Sequence, residues 1–214
     1  MKETNNKQPV ALSEVLDGHN ERQQSSPPSP QLRQRAQTLV TTYSTPAALS
    51  RQYSPARQQR CAANAYKAVT CAAPRLQDVA TAWTNGAEVW LMVHIYELGE
   101  FAGVREKMTA DQVRQTAAII AGEFYFLKLT ELMLFFQRVK AGTFGRFYGT
   151  VDPMEVCLWL RQWVAGERAR IVAAEEREQR RRRDIAERLA LDSDRASRGG
   201  KPVPDHIHDQ IAAL

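Results

Sequence analysis

The residues that most constrain this chain are Asp152-Pro-Met-Glu155 and the stripe that follows them. Asp is a strong helix N-cap, Pro153 suits the first helical position, and Glu155 three residues on can close a capping box and favours the positive helix end. Val156, Trp159, Leu160, Trp163, Val164 and Ile171 then recur at helical spacing. The same grammar appears upstream. Thr109-Ala-Asp-Gln112 is a second capping box, ahead of Val113, Thr116, Ala117, Ile120 and Phe124. A third start at Thr130 precedes Leu132, Phe135, Phe136 and Val139, with Gly142 placed for a left-handed cap. Successive capped apolar stripes with no evident strand partner predict an all-α fold, a small helical bundle.

The segment before these boxes reads as helix too. Residues 55–70 put Ala62, Ala65, Tyr66 and Val69 on one face, and Pro74 fits the first turn of a short helix over 75–83. The run 87–98 is apolar on all sides, which predicts a central, buried helix. A buried strand is the competing reading, but Glu-Leu-Gly-Glu-Phe carries the segment past strand length.

Composition divides the chain. All four tryptophans and all seven phenylalanines lie within residues 61–172. Residues 1–54 are a polar tail, disordered or partly helical, because Gln, Ser, Thr and Pro cannot bury enough apolar surface to offset ordering. A helix near Leu32–Val40 would be marginal alone. Pro27-Pro-Ser-Pro30 fits either a plain linker or an SH3-type ligand. The helical domain spans 55–172. Residues 173–192 continue as a projecting charged helix, where Glu176→Arg180 and Glu178→Arg182 are well-oriented pairs, with weaker reversed pairs Arg180–Asp184 and Arg183–Glu187. Residues 193–214 form a disordered tail in which a short helix near 205–213 is an option.

The net charge is +5, but residues 61–152 hold nine basic and nine acidic groups. A uniformly basic nucleic-acid-binding core is therefore excluded, while the tail, with eight basic and four acidic groups over residues 1–60, can add non-specific attraction to phosphates. Three cysteines without a C-x-x-C pair argue against a disulfide framework and for a reducing compartment. With no apolar leader at the start and no membrane-length apolar run, a soluble cytoplasmic protein is expected.

No phosphate-loop or nucleophile-elbow motif is present, so no catalytic residue and no cofactor is assigned. His94 reads as a hydrogen-bonded core residue. Asp205-His-Ile-His-Asp209 lacks a second cluster, so no metal is assigned. Glu97, Glu100, Glu123 and Glu131 read as surface carboxylates, with a site assembled from them in space kept open as the reading for a small enzyme.

Two places carry binding chemistry. Between Gly142 and Asp152 the chain reads G-T-F-G-R-F-Y-G-T-V, and its aromatics either fold back to cover a corner or interleave with Arg138, Lys140 and Arg146. Cations beside Phe147 and Tyr148 suit phosphate pairing plus base stacking. The second place is Arg180, Arg181, Arg182 and Arg183, suited to phosphates but flanked by Glu175, Glu176, Glu178, Asp184 and Glu187. A solvated helix, a nucleic-acid contact and self-association all remain open there.

K-M-T-A-D-Q-V-R-Q-T-A-A-I-I (107–120), F-L-K-L-T-E-L (126–132), F-Q-R-V-K-A-G (136–142), F-G-R-F-Y-G (144–149) and V-D-P-M-E-V-C-L-W-L-R-Q-W-V-A-G-E-R (151–168) together resemble a family of small, uncharacterised domain-of-unknown-function proteins from Bacteroidetes, often found in prophage and mobile-element neighbourhoods. The resemblance covers about residues 105–170. It implies an all-helical cytoplasmic protein with no established activity and transfers no catalytic residue. The function expected is a non-enzymatic accessory protein binding nucleic acid or a replication-type complex of a mobile element. The alternative is a protein-interaction adaptor that binds no nucleic acid.

Overall fold

The structure, a computed structural model, describes residues 27–197, with side chains through Asp194. The segments 1–26 and 198–214 lie outside the described residues, and with them the first part of the expected N-terminal tail, most of the C-terminal one, the helix near 205–213 and the Asp205–Asp209 cluster.

The chain is all-α. Helix α1 (Pro30–Tyr43) leads into α2 (Pro46–Gln52), a 3-10 turn (Pro55–Arg57), α3 (Gln58–Ala63), α4 (Ala65–Thr70), α5 (Leu76–Ala82), α6 (Gly86–Ala102), α7 (Ala110–Glu123), α8 (Leu129–Lys140) and α9 (Pro153–Trp163). A π-type turn (Val164–Arg168) joins α9 to α10 (Ala169–Ser197) without interrupting the rod. Among the described residues there are only two isolated β-bridges and no strand.

Helix α8, rather than α6, is the central rod. Leu129, Leu132 to Phe136 and Val139 are all buried, which covers every side of the helix. Helix α6 buries Trp90, Leu91, Ile95 and Leu98 but leaves Val89, Val93 and Tyr96 exposed at i, i+4 and i+7. Composition predicted α6 buried all round. Position decides otherwise, since no described element covers its outer side.

The helical body also begins earlier than composition suggests. Ser29 caps α1 through a bond from the Leu32 amide at 3.3 Å, and Pro30 takes the first turn, so the second half of the Pro27–Pro30 stretch serves as a helix start. Thr45 caps α2 in the same way. Ala36, Leu39 and Leu49 are buried, and Arg35 reaches Asp78 of α5 at 2.8 Å. A helix marginal by itself is stabilised once it has a face to cover. Downstream, 55–70 is not one helix. Asn64 breaks it, then caps α4 by accepting the Lys67 amide at 2.8 Å. Pro74 stands just before α5, where its carbonyl accepts the Leu129 amide at 2.8 Å.

Both expected caps form, with one difference. Thr109 and Gln112 bond reciprocally at 3.2 and 2.8 Å. Asp152 accepts the Met154 amide at 2.7 Å, but Glu155 does not reach back to close the box. Glu155 is left with its charge near the positive helix end.

Candidate nucleic-acid interface

The corner between α8 and α9 is set by the way α8 stops. Gly142 adopts φ +76°, its amide bonds to the Val139 carbonyl, and the Thr143 amide bonds to that of Arg138. This left-handed ending turns the chain back across α9. Gly145, at φ +137°, lies close enough to Trp159 that an added Cβ would sit 3.7 Å from the ring. Phe144 stacks on Trp159 with centroids 6.1 Å apart, and Phe147 approaches the same ring at 4.8 Å. Two of the three corner aromatics therefore fold back onto the body. Tyr148 does not, and is 89% exposed.

The three cations of this region have different fates. Arg138 grips Glu167 of the π turn, with Nη2 donating to Oε1 at 2.7 Å and Nε to Oε2 at 3.1 Å. Trp163 Nε1 donates to the same carboxylate at 3.0 Å. The Arg138 bond holds the Glu167 carboxyl below its ordinary value of 4.5, against the opposing effect of burial. Lys140 pairs with Glu97 of α6, its side chain is only 7% exposed, and its Nζ lies 5.3 Å from the centre of the Phe101 ring. Arg146 is exposed and makes no hydrogen bond or ion pair with the described residues.

Lys140, Arg146, Phe101 and Phe147 line a cleft of about 380 Å³, together with Leu98, Val139 and the Gly142 and Gly145 backbone. Phe101 comes from the last turn of α6, far upstream. No spacing pattern links it to the corner, so the sequence gives no signal for it. The Glu106 amide bonds to the Gly149 carbonyl at 3.1 Å, tying the 103–109 connection to the corner.

The arginine run is more exposed and more self-contained. Arg181 and Arg182 share Glu178 at 3.1 and 3.0 Å, Arg180 meets Glu176 at 3.9 Å, and Arg183 Nε donates to the Gln179 carbonyl at 3.4 Å. The pairs predicted one turn N-terminal to Arg180 and Arg182 form; contacts of Arg180 with Asp184 and of Arg183 with Glu187 do not. The root of this rod is fixed differently. Glu131, 1% exposed, accepts from Arg168 Nε at 2.8 Å, and Arg168 lies over the Phe126 ring at 5.3 Å. Tyr66 donates to Glu175.

The carboxylates read as surface groups each meet a cation: Glu97 with Lys140, Glu100 with Lys107, Glu123 with Arg161 and Glu131 with Arg168. Glu131 is buried, contrary to that reading. Among the described residues no group of three or more His, Cys, Asp or Glu is placed to hold a metal ion. His94 is buried beneath Trp90 and Phe136. Its Nε2 lies 2.9 Å from the Tyr53 carbonyl and so carries the proton, while Nδ1 accepts from Gln58 Nε2 at 2.7 Å. Burial pushes its pKa down to about 4. Among the described residues no helix is long and apolar enough to cross a membrane.

Residues 107–195 match the model of a family of unknown function, DUF6633. The match takes in the corner, the π turn and the arginine run, and leaves α1 to α6 outside it, Phe101 included. No curated protein and no solved structure matches the chain.

Proposed function

We propose that this chain is a non-enzymatic accessory protein of a mobile element that works in the cytoplasm and engages nucleic acid at the α8–α9 corner, within a replication-type complex. One observation carries the reading. Arg146 and Tyr148 stand exposed two positions apart with no described ion-pair partner for the arginine, whereas Arg138, Lys140 and Arg180 to Arg182 each meet a carboxylate. A free guanidinium beside an uncovered ring is the pairing that holds phosphate and base together.

A second reading, a protein-interaction adaptor with no nucleic-acid contact, is favoured by the open stripe Val89, Val93 and Tyr96 on α6. Titration of labelled single- and double-stranded DNA and RNA at low and moderate salt separates the two. It requires the full chain and a chain lacking residues 1–26, because deletion further in would remove helices that bury Leu39 and Leu49. The expected result is binding that weakens with salt and survives loss of the tail. No binding at low salt contradicts the nucleic-acid reading and favours the adaptor.

A further inference from the structure

We infer that the cleft beside the corner takes one unpaired base, so that this surface selects a single strand over a duplex; the inference rests on the nucleic-acid reading above. Ligand pockets begin at about 300 Å³, so a cleft of about 380 Å³ has room for one flat ring system and its sugar but not for a stacked base pair. Its walls are suited to a ring. Phe101 is 59% exposed at the end of α6, and Phe147 is held in place by Trp159. Within a duplex both faces of each base are covered by neighbours, so only an unpaired base can offer a face to such walls.

The charges point the same way. Lys140 lines the cleft but already faces Glu97, and Arg138 is occupied by Glu167. Arg146 is therefore the main source of attraction for a backbone phosphate. Proteins that hold duplex by its backbone neutralise many phosphates, commonly about six to ten. This corner offers one or two. Its affinity must come largely from stacking and depend only weakly on salt.

The test uses the full chain and fluorescence anisotropy with four labelled probes of equal length: oligothymidylate, oligouridylate, an abasic DNA strand and a DNA duplex. Either the deoxy or the ribo strand satisfies the inference, and the two arms say which backbone is preferred. The expected result is that a base-bearing strand binds about tenfold tighter than the abasic strand or the duplex. The logarithm of affinity should fall against that of salt with a slope of about −1. Phe101→Ala should cost the base-bearing strand about tenfold and leave abasic binding unchanged. A duplex or abasic strand binding as well as the base-bearing one overturns the inference while leaving the broader reading standing, as does a steep salt slope. If no probe binds at low salt, the broader reading falls as well. The abasic comparison is made on the unaltered protein, so it decides the matter whether or not the Phe101 variant folds.

Discussion

The arginine run and the α8–α9 corner are both basic in sequence, and the structure pairs them differently: the run with carboxylates on its own helix, the corner with carboxylates on packed neighbours. Residues 175–188 hold six arginines and five carboxylates, so the field of the run largely cancels over its own length. The corner has only Arg138, Lys140 and Arg146, and Arg146 is the one left without a carboxylate; in the run Arg180, Arg181 and Arg182 are paired, while Arg177 and Arg183 meet no carboxylate among the described residues. Two of its three cations pin helices together through Glu167 and Glu97, and the third is exposed, two residues before the exposed Tyr148. The difference shows that a count of arginines does not measure what a partner can use. What matters is whether a carboxylate lies one helical turn away or on a packed neighbour.

The largest test of this contrast is at the root of the rod. Glu131→Ala would strip Arg168 of its partner and the Lys128 amide of its acceptor. Loss of one member of a buried pair should lower stability by about 3 kcal/mol in urea unfolding. A comparable loss is expected along the pH axis. His94 is held neutral beneath the helix that ends at the corner, so its folded pKa of about 4 lies below the ordinary value of 6.5. The unfolded chain then binds the proton first. Stability should be unaffected by His94 above about pH 6.5 and fall by about 3 kcal/mol as pH drops towards 4. Denaturant midpoints across that range check this, and His94→Gln should remove the slope. Below pH 4.5 the depressed carboxyl of Glu167 adds its own loss, since a carboxylate stabilised by Arg138 contributes fully only while ionised.

Asp152→Ala removes the cap that launches α9 from the corner and should cost about 1 kcal/mol in the same assay. The smallest effect belongs to the run. Replacing Arg180, Arg181, Arg182 and Arg183 together by glutamine breaks only exposed pairs, and the thermal midpoint should move by the equivalent of less than about 1 kcal/mol. A large shift there would mean that the shaft is packed against something, and the contrast would fail.

Local signals carried much of this architecture. The caps at Thr109 and Asp152, the left-handed stop at Gly142 and the stripes of α7, α8 and α9 each depend on residues within a few positions of one another, and each forms. Long-range pairings were not legible. Arg138 reads as a free cation until Glu167 is brought against it, and Lys140 until Glu97 arrives from α6. The first two helices look like tail because the face they cover belongs to α5 and α6. The α6 run reads as central because apolar residues surround it, but burial depends on which sides are covered, and the side of α6 carrying Val89, Val93 and Tyr96 is open whereas α8 is covered all round. At the corner, Phe144 and Phe147 could not be told from Tyr148 in sequence. Only the position of Trp159 separates the two covered rings from the open one.

The most direct test sets the two basic regions against each other in one binding assay. Affinity of the full chain for a single-stranded oligonucleotide would be measured for Arg146→Gln with Tyr148→Ala, and separately for the fourfold arginine-to-glutamine change at 180–183. The corner variant should weaken binding by about tenfold or more, and the run variant by less than about threefold. The opposite ordering, with binding lost from the run and kept at the corner, would contradict the assignment of the interface to Arg146 and Tyr148.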